Sequence, residues 1–235
     1  IIEGLKMMIY GLFMKLVIAD RLAIYVNTVY NNADQHGGKT LALATILFAF
    51  QIYCDFAGYS NIAIGAAKVM GFKLMTTFNR PYFSRSISEF WKRWHISLST
   101  WFKDYLYISL GGNRVSIPRW YFNLFIVFTI SGLWHGANWT YIIWGAINGF
   151  YLVFAIFSEK WRSRINTALG ITRLPRLNQA LQIVITFILT CFAWIFFRAN
   201  NLDDAMHITR SILAFNGPVF KQDWQQLAYG ISAIV

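Results

Sequence analysis

The sequence predicts an all-α membrane protein that crosses the bilayer several times, and three observations support this fold class. The 235 residues are 57% hydrophobic and 18% aromatic but only 13% charged, about half the charged share of a soluble domain. Two runs carry no charge, 39 residues from Trp120 to Ser158 and 21 residues from Leu177 to Phe197, and a helix needs about 20 apolar residues to cross a bilayer. These runs do not alternate apolar and polar residues, which favours helices over barrel strands.

The chain is predicted to form one transmembrane domain over residues 1–235, with about five passes. A more polar first pass is expected from about Leu5 to Val26, and a second from Leu41 to Ala67, which contains one charge, Asp55. The run 120–158 is long enough for a hairpin of two passes, and 177–197 supplies the fifth.

Basic residues are concentrated in two segments that predict the orientation in the membrane. Segment 68–119 has nine Lys and Arg against two Asp and Glu, and segment 159–176 has five against one. Loops rich in Lys and Arg mark the cytoplasmic side, and a hairpin over 120–158 places both segments there. The net charge of +11 does not predict nucleic-acid binding, because the adjoining apolar runs hold the basic segments at a membrane.

The first basic segment contains a strongly amphipathic stretch from Tyr82 to Leu110. Apolar residues recur at three- and four-residue steps, which predicts an amphipathic helix with His95 at the border of its apolar face. One interpretation is a helix that lies in the membrane interface and contacts anionic lipid. A second adds a cytoplasmic binding surface for a phosphorylated, nucleotide-bearing donor such as a coenzyme thioester.

His135 lies inside the 39-residue run that has no formal charge. An ionisable group within a membrane segment is a candidate functional residue, and an uncharged imidazole is suited to act as a general base. The alternative is a histidine that only forms a hydrogen bond between two helices.

Asp55 is the other candidate, and we expect it to form a structural ion pair with a Lys, Arg or His. Asp55 and His135 together also allow a different class of protein, a transporter with a proton or ion path. No internal repeat of the kind common in transporters is evident. A third alternative is a noncatalytic scaffold, which would tolerate loss of either residue.

Four motifs together resemble the membrane-bound O-acyltransferase family. They are FQIYCDFAGYSNIAIG, RWHISLSTW, DYLYISLGGNR and LWHGANWT. Within the third motif, LGGNR resembles the sequence of the family branch that acetylates exported polysaccharides such as alginate. The resemblance implies the helical membrane fold of that family, with interfacial or re-entrant amphipathic helices. Complete members are considerably longer, so the chain is expected to be a fragment of a longer protein.

The resemblance also implies the chemistry. His135 of the Trp-His-Gly motif is expected to be catalytic and His95 to be the second active-site residue, while acetyl-CoA is the expected acyl donor. No tightly bound cofactor and no metal are expected. Neighbouring side chains are candidates for contacting the donor or substrate: Arg93, Trp94, Trp134 and Asn138.

Family membership further implies where such a protein works and with what. We expect a multi-pass protein of the bacterial inner membrane, in contact with membrane lipid. Periplasmic acetyltransferase partner proteins would pass the acetyl group to the polysaccharide. The identity of that polysaccharide is left open, because alginate, cellulose and peptidoglycan all fit this branch.

Overall fold

The computed structural model describes residues 1–168, 170–221 and 224–233, apart from the side chains of residues 172 and 224–227. Every regular element in this part of the chain is helical, as predicted. The α-helices are α1 Ile2–Leu12, α2 Asp20–Tyr30, α3 Gly38–Val69, α4 Ile87–Arg93, α5 Ile96–Phe102, α6 Ile117–His135, α7 Trp139–Phe157, α8 Glu159–Ala168, α9 Pro175–Arg198, α10 Leu202–Ala214 and α11 Trp224–Ser232. Two π-helical segments, Phe13–Ala19 and Lys103–Tyr107, and three short 3₁₀ turns, Ala33–Gln35, Pro81–Phe83 and Ile171–Arg173, join them.

The chain divides into two compact units, residues 1–77 with 198–235 and residues 78–197. In the first unit, α1, the π-helical segment and α2 follow one another without a break, where the sequence predicted one pass. This pass packs antiparallel against α3. A Cβ atom on Gly11 would lie only 2.5 Å from the Gly58 carbonyl oxygen, so the backbones touch where glycine replaces a side chain.

The first unit also holds the ion pair that was expected for Asp55. The Lys15 Nζ atom lies 2.7 Å from Asp55 Oδ1 and 2.9 Å from Asp20 Oδ1. Lys15 lies in the π-helical segment and Asp55 in α3, so the ion pair joins the first pass to the second. This contact agrees with a structural role for Asp55.

Helix α10 and the chain after it were not predicted. The Asn201 side chain caps α10 by accepting a hydrogen bond from the Asp204 backbone N–H at 2.8 Å, as is usual for an N-cap asparagine. Beyond α10, the Thr40 hydroxyl donates to the Pro218 carbonyl and accepts from the Phe220 N–H, both at 3.0 Å. The segment after α10 is therefore fastened to the start of α3.

In the second unit, α6 and α7 form the hairpin predicted for residues 120–158. A Cβ atom on Gly145 would lie 2.3 Å from the Phe128 carbonyl oxygen, so these helices also meet backbone to backbone. The Asn123 side chain on α6 donates to the carbonyls of Leu110 and Gly112, at 3.0 and 3.1 Å. It thereby anchors the loop that precedes the hairpin.

Three of the helices in the described part of the chain are long and apolar enough to cross a membrane, namely α3, α7 and α9. They correspond to three of the five predicted passes, and they support a multi-pass membrane protein. The other two predicted passes, in α1–α2 and in α6, are helical but do not meet the same criteria of length and composition.

Candidate active site

The amphipathic stretch from Tyr82 to Leu110 is not the single helix that its periodicity predicts. Helix α4 ends at Arg93, α5 begins at Ile96, and a π-helical segment begins at Lys103. His95 lies in the break with φ 43° and ψ 55°, a left-handed conformation that costs a non-glycine residue about 1–2 kcal/mol. Apolar spacing continues through the break, which is why the sequence pattern did not reveal it.

Hydrogen bonds from a residue before α4 and from one within α5 stabilise the break. The Asn79 backbone N–H donates to the Arg93 carbonyl at 2.9 Å, and the Ser99 hydroxyl donates to the Trp94 carbonyl at 3.3 Å. Both are carbonyls at the end of α4 that the missing helical turn would otherwise satisfy. The local geometry at His95 is therefore held by its surroundings.

Trp94, a candidate for contacting the donor, is instead a core residue. It is only 5% exposed. Its ring centroid lies 5.5 Å from that of Phe90, in a stacked arrangement, and 5.2 Å from that of Trp194 on α9. Burial of this kind indicates that Trp94 fixes the position of its neighbour His95 and leaves little surface for a ligand.

Arg93, the second candidate beside His95, is partly committed to a neighbour. Its Nη2 atom lies 2.5 Å from Glu89 Oε1, one helical turn earlier in α4. Both side chains are about one-third exposed. An interaction with a donor phosphate would therefore use the guanidinium nitrogens that do not contact Glu89.

His135 is the last residue of α6. The chain turns at Gly136, and α7 begins at Trp139. Asn138 is the N-cap of α7, where its Oδ1 atom accepts from the Thr140 N–H at 3.1 Å. His135 and Asn138 thus lie on the two sides of one tight turn, as their spacing in the motif allows.

Aromatic rings surround the His135 imidazole. The ring centroid of Trp134 lies 5.1 Å away and that of Tyr141 6.2 Å away. Trp144 on α7 and Phe197 on α9 lie at 5.2 and 5.0 Å, both in edge-on contact. The sequence argument identified Trp134 but missed the other three, although the hairpin turn predicts that α7 residues return towards His135.

The environment on the two sides of His135 differs. Trp144 is 2% exposed, whereas Trp134 is 59% exposed, and His135 itself is half-buried. One side of the imidazole therefore faces the aromatic core, while the side towards Trp134 lies near the protein surface. The imidazole is therefore neither enclosed by the aromatic core nor fully exposed.

The two histidines belong to the same aromatic cluster. Trp94, next to His95, contacts Trp194, and Trp194 stacks on Trp144 at 5.8 Å between centroids. Trp144 in turn contacts His135. The imidazoles are near enough to repel each other when both are charged, and the structure therefore brings together the two residues that the sequence singled out.

Burial favours the uncharged form of His95. It lowers the pKa of the imidazole below the usual value of 6.5, because desolvation disfavours the charged ring. Its Nδ1 atom lies 3.4 Å from the Ser97 hydroxyl. A neutral His95 can donate a hydrogen bond from one ring nitrogen and accept one at the other.

Fold and site together define a class, a multi-pass helical membrane protein with two histidines at one aromatic cluster. The family model of the membrane-bound O-acyltransferases matches residues 3–199. A protein named probable alginate O-acetylase from Pseudomonas aeruginosa is 45% identical over 91% of this chain. The chain therefore belongs to the membrane-bound O-acyltransferase family.

Two other relatives show the breadth of the family. A peptidoglycan O-acetyltransferase of Helicobacter pylori is 40% identical over 91% of the chain, and a teichoic acid D-alanyltransferase of Bacillus subtilis is 31% identical over 83%. The chain spans 39% of the length of the Pseudomonas and Helicobacter proteins and 50% of that of the Bacillus protein.

Proposed function

We propose that this chain forms the catalytic part of a membrane O-acetyltransferase. The observation that carries the proposal is the pair of half-buried histidines, His95 and His135, joined through one cluster of tryptophans. Family membership supports it, since the relatives at 40–45% identity are named for O-acetyl transfer. No observation favours the transporter, because Asp55 is engaged by Lys15.

The acyl donor in this proposal is acetyl-CoA, presented from the cytoplasmic side. The basic segment 68–119, with its excess of seven positive charges, suits the phosphates of such a donor. Arg93 offers the guanidinium nitrogens that do not contact Glu89, and Trp134 offers an exposed ring.

In the transfer step, the neutral His135 imidazole accepts the proton of the acceptor hydroxyl. The acceptor oxygen attacks the thioester carbonyl, the carbonyl electrons move to its oxygen, and on collapse the carbon–sulfur bond breaks. The thiolate of coenzyme A leaves and takes up the proton that His135 accepted, which returns the imidazole to its neutral form. A positioned base contributes about 10²- to 10⁴-fold to such a step.

His95 is proposed to orient the donor or to donate a hydrogen bond to the developing oxyanion. Asn138, on the other side of the turn from His135, is a further candidate for contacting the donor. The left-handed backbone at His95 points its side chain in a different direction from that of a residue inside a helix. A backbone held in such a conformation suits a side chain that needs a fixed position for catalysis.

The acceptor is proposed to be an exported cell-surface polysaccharide such as alginate, or a carrier that feeds it. The protein would work in the bacterial inner membrane, with periplasmic acetyltransferase partner proteins that complete the transfer. Support comes from the relatives, which are named for alginate and peptidoglycan.

A direct test compares transfer with transport in the complete protein. The full-length protein in proteoliposomes is supplied with radiolabelled acetyl-CoA on the basic side, and labelled acetyl product and ion flux are measured in parallel. We expect acetyl transfer without ion flux. Ion flux in the absence of a thioester, together with no acetyl product, would contradict the proposal and indicate a transporter.

A further inference from the structure

Helix α8, Glu159–Ala168, takes no part in the proposed chemistry. Trp161 and Ile165 are four residues apart and share one face of this helix, while Lys160 and Arg164 are four apart on the adjacent face. The helix therefore combines an apolar edge with a basic edge, which is typical of helices that lie in a membrane interface.

Both edges of α8 are open in the described part of the unit. Trp161 is 60% exposed and Ile165 55% exposed, and Lys160 and Arg164 are exposed as well. The apolar edge continues onto α7 through Phe157, whose ring contacts Trp161 edge-on at 5.6 Å.

The position of α8 in the chain places it at a membrane surface. It follows directly after α7 and precedes α9, and both of these are long and apolar enough to span a membrane. Arg162 fastens α8 to the end of α7, since its Nη2 donates to the Ala155 carbonyl at 2.6 Å and its Nε donates to the Ser158 hydroxyl at 3.1 Å.

We propose that α8 is a binding site for anionic phospholipid. Trp161 and Ile165 enter the boundary between headgroups and acyl chains, while Lys160 and Arg164 contact the phosphate groups of the lipid. Charge complementarity supports this occupant, because segment 159–176 has five basic residues against one acidic residue. Each such residue near an anionic surface contributes about fivefold to binding.

The apolar edge distinguishes a lipid from a soluble phosphate. A free phosphate needs only the charges, and it would leave Trp161 and Ile165 exposed to water. A phospholipid satisfies both edges of the helix at once. The site is therefore assigned to the lipid and is separate from the two-histidine site.

The test measures lipid selectivity of the full-length protein in detergent by native mass spectrometry. Phosphatidylglycerol and phosphatidylcholine with the same acyl chains are titrated, and the ratio of their apparent affinities is compared between variants. We expect a preference for phosphatidylglycerol that falls roughly 25-fold in the Lys160→Gln/Arg164→Gln double variant.

Two controls make the result specific. The charge-preserving variant Lys160→Arg/Arg164→Lys should keep the preference, which separates charge from folding. The variant Arg210→Gln/Lys221→Gln removes two exposed charges elsewhere in the chain and should also keep it. The proposal is overturned if the double Gln variant retains the preference, if both Gln variants lose it equally, or if inorganic pyrophosphate displaces the lipid.

Discussion

His95 combines a side chain with a proposed role in catalysis and a backbone conformation that few residues adopt. Its φ of 43° lies in the region that glycine occupies at no steric cost and that other residues avoid. A histidine there therefore carries a steric cost that glycine would not. The motif around it could be read from the sequence, but the conformation could not, because neither neighbour is glycine or proline.

Substitutions at His95 separate stability from function. We expect His95→Gly to be about 1 kcal/mol more stable than His95→Ala, because glycine adopts the left-handed conformation without strain. Both variants should lose acetyl transfer. Thermal unfolding in detergent, followed by fluorescence, measures the difference.

Ser163 provides the matched control for this comparison. It is exposed and lies in the middle of α8, where glycine disfavours the helix by about 1 kcal/mol relative to alanine. Ser163→Gly should therefore be less stable than Ser163→Ala, which is the opposite order. The same order at both positions would contradict the assigned backbone at His95.

At the scale of elements, the helices could be predicted more reliably than their breaks. Long apolar runs predicted α3, α7 and α9, and the hairpin of α6 and α7 followed from the length of one run. The break between α4 and α5 was missed because it depends on hydrogen bonds from Asn79 and Ser99. Such tertiary contacts leave no periodicity in the sequence.

The close packing of α6 against α7 depends on Gly145. Since a Cβ atom there would lie 2.3 Å from the Phe128 carbonyl oxygen and 3.1 Å from the Gly132 Cα atom, Gly145→Ala must push α6 and α7 apart. We expect a loss of about 1–3 kcal/mol in the free energy of unfolding.

Phe150 on the same helix serves as the control. It is 56% exposed, so Phe150→Leu should change the free energy of unfolding by less than about 0.5 kcal/mol. Chemical unfolding of the full-length protein in detergent compares the two variants. Equal effects would show that the close helix contact is not essential.

At the scale of the whole molecule, the sequence predicted class and orientation from composition and charge. Apolar runs indicate a membrane protein, and the two basic segments predict its cytoplasmic side. The partners of His135 were harder to predict, because Phe197 and Trp144 come from two different helices. Their meeting depends on packing, which a single sequence does not display.

The orientation can be tested with a cysteine in the second basic segment. Ser163 on α8 is exposed, while the natural Cys54 and Cys191 are buried and should give little background. In intact spheroplasts, we expect the Ser163→Cys variant to react with a membrane-permeant maleimide and not with an impermeant one. Labelling by the impermeant reagent without permeabilisation would reverse the predicted orientation.

The central claim is that His135 acts as the base in acetyl transfer, and the most direct measurement is chemical rescue of the full-length His135→Ala variant. Transfer from radiolabelled acetyl-CoA should fall by about 10²- to 10⁴-fold and recover in part when free imidazole is added at neutral pH. The His207→Ala variant, which changes an exposed histidine on α10, should transfer at the parent rate. Undiminished transfer by His135→Ala would contradict the account.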